Sequence, residues 1–164
     1  MIQKIVVPLD GSKLAECALP YAEEIASKMD VEVVLVSVTE RVQGYEPVRA
    51  PGKMFEVDYV PVGIGKMEKQ ATRYMDRIVK KFEGKGIKVS QEVLLGDPAE
   101  EIIIYAELKK CDLIIMASHG RGGISRWLHG SVAEKVFRAA GIPVMIIPAL
   151  ACKQEKVQKI RKSK

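Results

Sequence analysis

Apolar residues in this chain follow two alternating rhythms. Compact apolar runs occupy residues 2–9, 31–38, 87–95, 113–117 and 144–147. Between them, apolar residues recur every three or four positions, the spacing of a helix with one buried stripe. The first helical stretch carries Leu14, Ala18, Ala22, Ile25 and Met29. Ser12 is placed to cap it, and Pro20 is expected to kink or weaken its middle. The second carries Met67, Ala71, Tyr74, Met75, Ile78 and Phe82 and stops at Gly84 and Gly86. In the third, Asp97 caps, Pro98 takes the first helical position, Glu100 completes a capping box, and Ile102, Ile103 and Ala106 turn inward. The fourth begins at Gly130-Ser131, where Ser131 and Glu134 match a capping box.

Strands that are apolar almost throughout, alternating with amphipathic helices, predict a parallel sheet covered by helices on both faces, an α/β fold. The prolines at 143 and 148 bracket the fifth strand and favour an outer position for it. Residues 39–62 fit neither rhythm. Gly44, Pro47, Pro51, Gly52 and Pro61 mark a long irregular loop there, of the kind that often forms a lid or a mobile segment.

The bulk numbers narrow the class. At 164 residues, with 48% hydrophobic and 29% charged, the chain reads as one globular domain over residues 1–150 and a basic tail over 151–164. No apolar run reaches the ~20 residues of a membrane helix, and no signal peptide precedes the first strand, which points to the cytoplasm. The net charge of +5 sits in the last twelve residues, where six cations face Glu155 alone. The rest sums to zero, which argues against a nucleic-acid partner on composition. Cys17, Cys111 and Cys152 are odd in number and far apart, so neither a disulfide framework nor a zinc site is expected. His119 and His129 have no acid at ligand spacing, and no metal site is expected from side chains.

The candidate chemistry lies in two loops. One is Pro8-Leu9-Asp10-Gly11-Ser12 after the first strand; the other spans 117–131, with Gly120, Gly122 and Gly123 before the helix start at Gly130-Ser131. A strand, a glycine-rich loop and a new helix N-terminus make an anion site, because unpaired N–H groups and the positive dipole end point at it. Open α/β sheets bind ligands beyond the carboxyl ends of strands where the winding reverses. No G-x-x-x-x-G-K-S/T and no G-x-G-x-x-G after the first strand is present, and Ser118 and Ser131 lack the G-x-S-x-G setting. Each of these residues also has a plainer reading: Asp10 as a turn residue, Ser131 as a cap, Trp127 as packing.

These features resemble the universal stress protein family. Its motif, G-x2-G-x9-G-S/T, is matched by Gly120 and by Gly130-Ser131 with nine residues between, while Ala117 stands at the first glycine. The V-V-P-L-D-G-S opening, the G-D-P-A helix start and the S-V-A-E-K-V-F…P-V-M-I-I close extend the similarity over residues 2–148. The resemblance implies a Rossmann-like five-stranded sheet in the order 3-2-1-4-5. It implies an ATP site with Pro8, Asp10 and Val38 around adenine and ribose. Met116, Ala117 and Gly120 would line the ribose and first phosphate, and Gly130, Ser131 and Val132 would meet the phosphates, with a Mg or Mn ion bridging the latter. It also implies homodimers paired through the fifth strand. Ala117 is the departure: a negative φ there tolerates a methyl group, a positive φ does not. With no tuned general base near the phosphates, the expected role is a nucleotide-binding regulatory module in stress response with little or no hydrolysis. The alternative is a nucleotide-free dimeric scaffold that acts through a protein partner.

Overall fold

The computed structural model describes residues 1–39, 45–49, 57–61, 64–118 and 130–148. The strands are β1 (Lys4–Pro8), β2 (Glu32–Thr39), β3 (Tyr45–Arg49), β4 (Val57–Pro61), β5 (Val89–Leu95), β6 (Leu113–Ala117) and β7 (Val144–Ile147). The helices are α1 (Leu19–Met29), α2 (Ile64–Glu83), α3 (Pro98–Leu108) and α4 (Ser131–Ala139), with a 3-10 turn, Ala15–Ala18, leading into α1.

Five strands form one sheet in the order β5-β2-β1-β6-β7, and every pairing is parallel. Counted along the chain without the β3–β4 pair, that is the 3-2-1-4-5 order, with β7 at an edge. Strand alternation sorts the core into two halves. Ile5, Val7, Val33, Leu35, Leu113 and Ile115 face α1 and α2, where they meet Ala22, Met75 and Phe82. Val6, Val34, Val36, Ile114 and Met116 face α3 and α4, where they meet Ile102, Ala106, Ala133 and Val136. Buried on both sides, β1, β2 and β6 have no polar side to show, which is why they read as continuous apolar runs. Phe82, fully buried, anchors α2; removing its ring would cost about 3–5 kcal/mol.

The structure differs from the sequence pattern in four places. Residues 45–49 and 57–61, read as irregular loop, pair as a two-stranded antiparallel ribbon with Pro47 opposite Tyr59. A two-stranded ribbon has only edge strands, so a proline can sit where its missing N–H faces away from the partner. Pro20 does not interrupt a helix: the 3-10 turn comes first and Pro20 falls in the opening turn of α1, where no N–H is needed. The buried stripe there is Ala15, Ala18, Leu19, Ala22 and Ala26, and Met29 is exposed. Cys17 is disulfide-bonded, whereas Cys111 is a free, buried thiol. Among the described residues no helix is long and apolar enough to cross a membrane. The basic tail, residues 151–164, lies outside the described residues.

Candidate functional site

The sheet reverses its winding between β1 and β6: the chain leaves β1 toward β2 and returns on the other side through β6. The carboxyl tips of these two neighbours therefore define the switch-point crevice. At the tip of β1, the Leu9 N–H donates to the Val36 carbonyl at 2.8 Å, which holds the strand end in the sheet. Beyond it, the Ser12 N–H donates to Asp10 Oδ1 at 2.9 Å. Gly11 sits between them at φ 80°, a left-handed conformation that a side chain would strain. The Ala15 N–H then donates to Ser12 Oγ at 3.0 Å, which ties the loop to the first residue of the 3-10 turn, although its N-cap position is Leu14. Asp10 is thus fixed by its own turn at the mouth of the crevice.

At the tip of β6 the decisive residue is Ser118. It is 2% exposed. Its N–H donates to the Ile147 carbonyl at 2.9 Å, and its carbonyl accepts from the Gly130 N–H at 2.5 Å. That second bond seats the start of α4 directly at the end of β6. Sequence reasoning weighed Ser118 only as a nucleophile and missed this anchoring role; no local signal announces a contact between residues twelve apart.

The helix starts on the α3–α4 side of the sheet differ. On α3, Asp97 Oδ1 accepts from the N–H groups of Ala99 at 3.0 Å and Glu100 at 3.2 Å. On α4, the N-cap is Gly130, extended at φ −65° and ψ 148°, and among the described residues no side chain caps it. The capping box expected from Ser131 and Glu134 is therefore not made. Ser131 is already the first helical residue, one position too late to cap, and Glu134 pairs with Arg138 at 3.0 Å instead. The first amides of α4 have no partner within the helix, and the positive end of the helix dipole lies with them.

Seven of the nine predicted site residues lie along β1, β2, β6 and α4 around this crevice, and an eighth, Asp10, lies at its mouth. Pro8 is buried at the end of β1 and, by alternation from Val6, faces the α3–α4 side. Val38, Met116 and Val132 pack in that same half of the core. Gly130 and Ser131 open α4. Ala117 closes β6 at 8% exposure, and its φ is not positive, since among the described non-glycine residues only Asp30 and Lys110 have positive values. Alternation turns its methyl toward the α1 side, opposite to Met116. Gly120, with His119, Arg121, Gly122, Gly123, Arg126, Trp127 and His129, lies outside the described residues.

Tyr74 on α2 is a further neighbour that the sequence placed only in the core. Burial pushes its hydroxyl above the ordinary phenol range, and the negative charges of Glu16 and Asp10 add to the shift. The group stays protonated, a buried hydroxyl with no hydrogen-bond partner among the described residues.

The universal stress protein family model matches residues 1–148. The chain is similar to universal stress protein MJ0531 of Methanocaldococcus jannaschii, 34% identical over 147 residues, covering 90% of this chain and 82% of that protein. Among solved structures it is similar to protein MJ0577, with a TM-score of 0.73 and 29% identity over 90% of this chain and 96% of that one. A universal stress protein of Archaeoglobus fulgidus in complex with dAMP shares the fold at a TM-score of 0.60 and 21% identity, covering 90% of this chain and 98% of that one.

Proposed function

The chain belongs to the universal stress protein family, and on that premise we propose that it is an adenine-nucleotide-binding regulatory module. The nucleotide lies across the β1–β6 crevice, with its base and ribose against Pro8, Asp10 and Val38. Its phosphates point to Gly130, Ser131 and Val132, with Met116, Ala117 and Gly120 lining the path between. ATP with a bridging Mg or Mn ion is the ligand in this reading, and the output is a change in partner binding rather than turnover.

One observation carries the reading: among the described residues, α4 begins without a side-chain cap at the tip of β6, beside the switch point. An unsatisfied helix start is costly unless water or a ligand serves it, and an anion serves it best. The adenine part draws support from the dAMP complex of the Archaeoglobus fulgidus relative. Homodimers through the edge strand β7 belong to the same proposal. Met145 on the edge strand β7 is 39% exposed, an apolar side chain open on that edge.

Calorimetric titration with Mg-ATP, run beside AMP and GTP, tests the reading. Saturable heat with adenine nucleotides that weakens in Asp10→Ala is the expected result. No heat from any nucleotide at millimolar concentration rejects it and leaves the scaffold reading in its place.

A further inference from the structure

A second charged feature lies on α2, away from the crevice. Lys69, Arg73, Arg77 and Lys80 are all exposed and recur at intervals of four, four and three residues. At 100° per residue they fall within an arc of about 80°, and they span about 16 Å of helix. Met75, Ile78 and Phe82, which bury α2 against the sheet, lie on the opposite side. The stripe therefore points into solvent.

Its cations are not matched by acids. Elsewhere on the surface, Lys4, Lys28, Lys88 and Lys135 each reach a carboxylate. Among the described residues none of the four stripe cations does, and Arg77 lies 5.7 Å from the Tyr74 ring centre. Two acids border the stripe: Asp76 accepts from Gln91 Nε2 at 2.6 Å on β5, and Glu83, one turn beyond Lys80, is exposed with no ion pair among the described residues. Like charges at these helical spacings repel one another, so the row is a standing field for anions. The whole-chain sum hid it, because acids on other faces cancel these cations in composition but not in space.

We infer that the α2 stripe is a docking surface for the phosphate backbone of a nucleic-acid duplex, without sequence readout. The chemistry selects this occupant. Protein interfaces are built on an apolar centre from which charge is depleted, and none of the exposed large apolar side chains among the described residues lies on α2. The same lack of apolar side chains gives the face nothing to insert into a membrane. Single strands are held by stacking on exposed aromatic rings, and the one aromatic beside the stripe, Tyr74, packs against the core. A duplex backbone needs only cations in a row, and Arg73 and Arg77 add the forked geometry that grips phosphate.

The test is fluorescence anisotropy of a labelled 20-base-pair duplex against the full chain at stepped salt. The full chain is compared with a variant carrying Lys69→Gln, Arg73→Gln, Arg77→Gln and Lys80→Gln. Both proteins keep the basic tail, so their difference reports the helix. Four phosphate contacts predict a log–log salt slope less steep by about 3 to 4 in the variant. The wild-type affinity should fall about a hundredfold more than the variant's between 50 and 200 mM salt. Should the quadruple variant lose its circular dichroism signal, Lys69→Gln with Lys80→Gln spares Arg77 and should flatten the slope by about 2. An unchanged slope, no duplex binding at 50 mM salt, or tighter attachment to phosphatidylserine vesicles than to duplex overturns the inference.

Discussion

Ala117→Gly restores the glycine found at this point of the family motif, and the structure makes the outcome counterintuitive. If the methyl group blocked the nucleotide, its removal would improve binding. Strand alternation instead turns that methyl to the α1 side, with Leu113 and Ile115, while Met116 faces the proposed ligand path. Nothing is gained in the crevice, and the core loses on two counts. A buried methyl contributes about 0.8 kcal/mol, and glycine in a strand costs a further 0.5–1 kcal/mol or so through backbone entropy. The sum is about 1.5 kcal/mol, which for a chain of this size lowers Tm by about 3–6 °C. Differential scanning calorimetry reads the second quantity and titration with Mg-ATP the first. The expected pair is a lower Tm with a Kd within about twofold of wild type. A tenfold gain in ATP affinity, about 1.4 kcal/mol, would refute the placement of the methyl and with it the register of β6 against the ligand.

Three other outcomes follow from single contacts. Asp97→Ala removes the acceptor for the Ala99 and Glu100 N–H groups at the start of α3 and should cost about 1 kcal/mol; a thermal midpoint within error of wild type would show that the cap contributes nothing. The Gln3 and Lys4 N–H groups hold the Asp112 carboxyl below the usual carboxylate range, and the Glu100 N–H does the same for Asp97. Because both folded values lie below the unfolded value of about 3.9, their stabilisation is complete above that pH and is lost as pH falls through the folded values. Urea midpoints should accordingly drop below about pH 4, and less steeply in Asp112→Asn; equal slopes in the two proteins would remove Asp112 from the account. Met145→Lys places a charge on the open edge of β7 and should turn a dimer into a monomer by sedimentation velocity, whereas an unchanged dimer would put the contact elsewhere.

The sheet was legible because its central strands have no solvent face. Ile5 to Leu9 and Leu113 to Ala117 could be nothing but interior, and the helices between them carried clear stripes. What failed turned on contacts that a local window does not contain. Ser131 fits a capping box by spacing, yet whether Gly130 or Ser131 takes the extended conformation is decided by the bond from Gly130 to Ser118, which no local window contains. The β3–β4 ribbon was obscured by Pro47 and Pro61, residues that argue against a central strand but not against an isolated pair. The disulfide at Cys17 depends on distance in space, which cysteine spacing along the chain does not encode. The common neighbourhood of Val38, Met116 and Val132 needed both topology and register: strand parity fixes the faces of Val38 and Met116, but only the order β2-β1-β6 puts those faces side by side under α4.

The same geometry divides the labour within the proposed site. Main-chain amides at the start of α4 respond to negative charge and carry no information about the base attached to it. In the proposed site, selectivity for adenine is assigned to the β1 end, where Pro8 and Val38 would supply an apolar wall and Asp10 a carboxylate. An ionised carboxylate only accepts hydrogen bonds, so it pairs with the amino group of adenine or a ribose hydroxyl and repels the carbonyl oxygen that guanine presents in the equivalent place. The Asp10 turn, pinned by Gly11 and Ser12, fixes that acceptor before any ligand arrives, which lowers the ordering cost of binding. It follows that Asp10→Asn, which supplies both a donor and an acceptor, should narrow the preference for ATP over GTP while leaving the phosphate end untouched. Competition titrations of the two nucleotides against this variant would measure the ratio. A ratio equal to that of the wild type would move the source of selectivity away from Asp10.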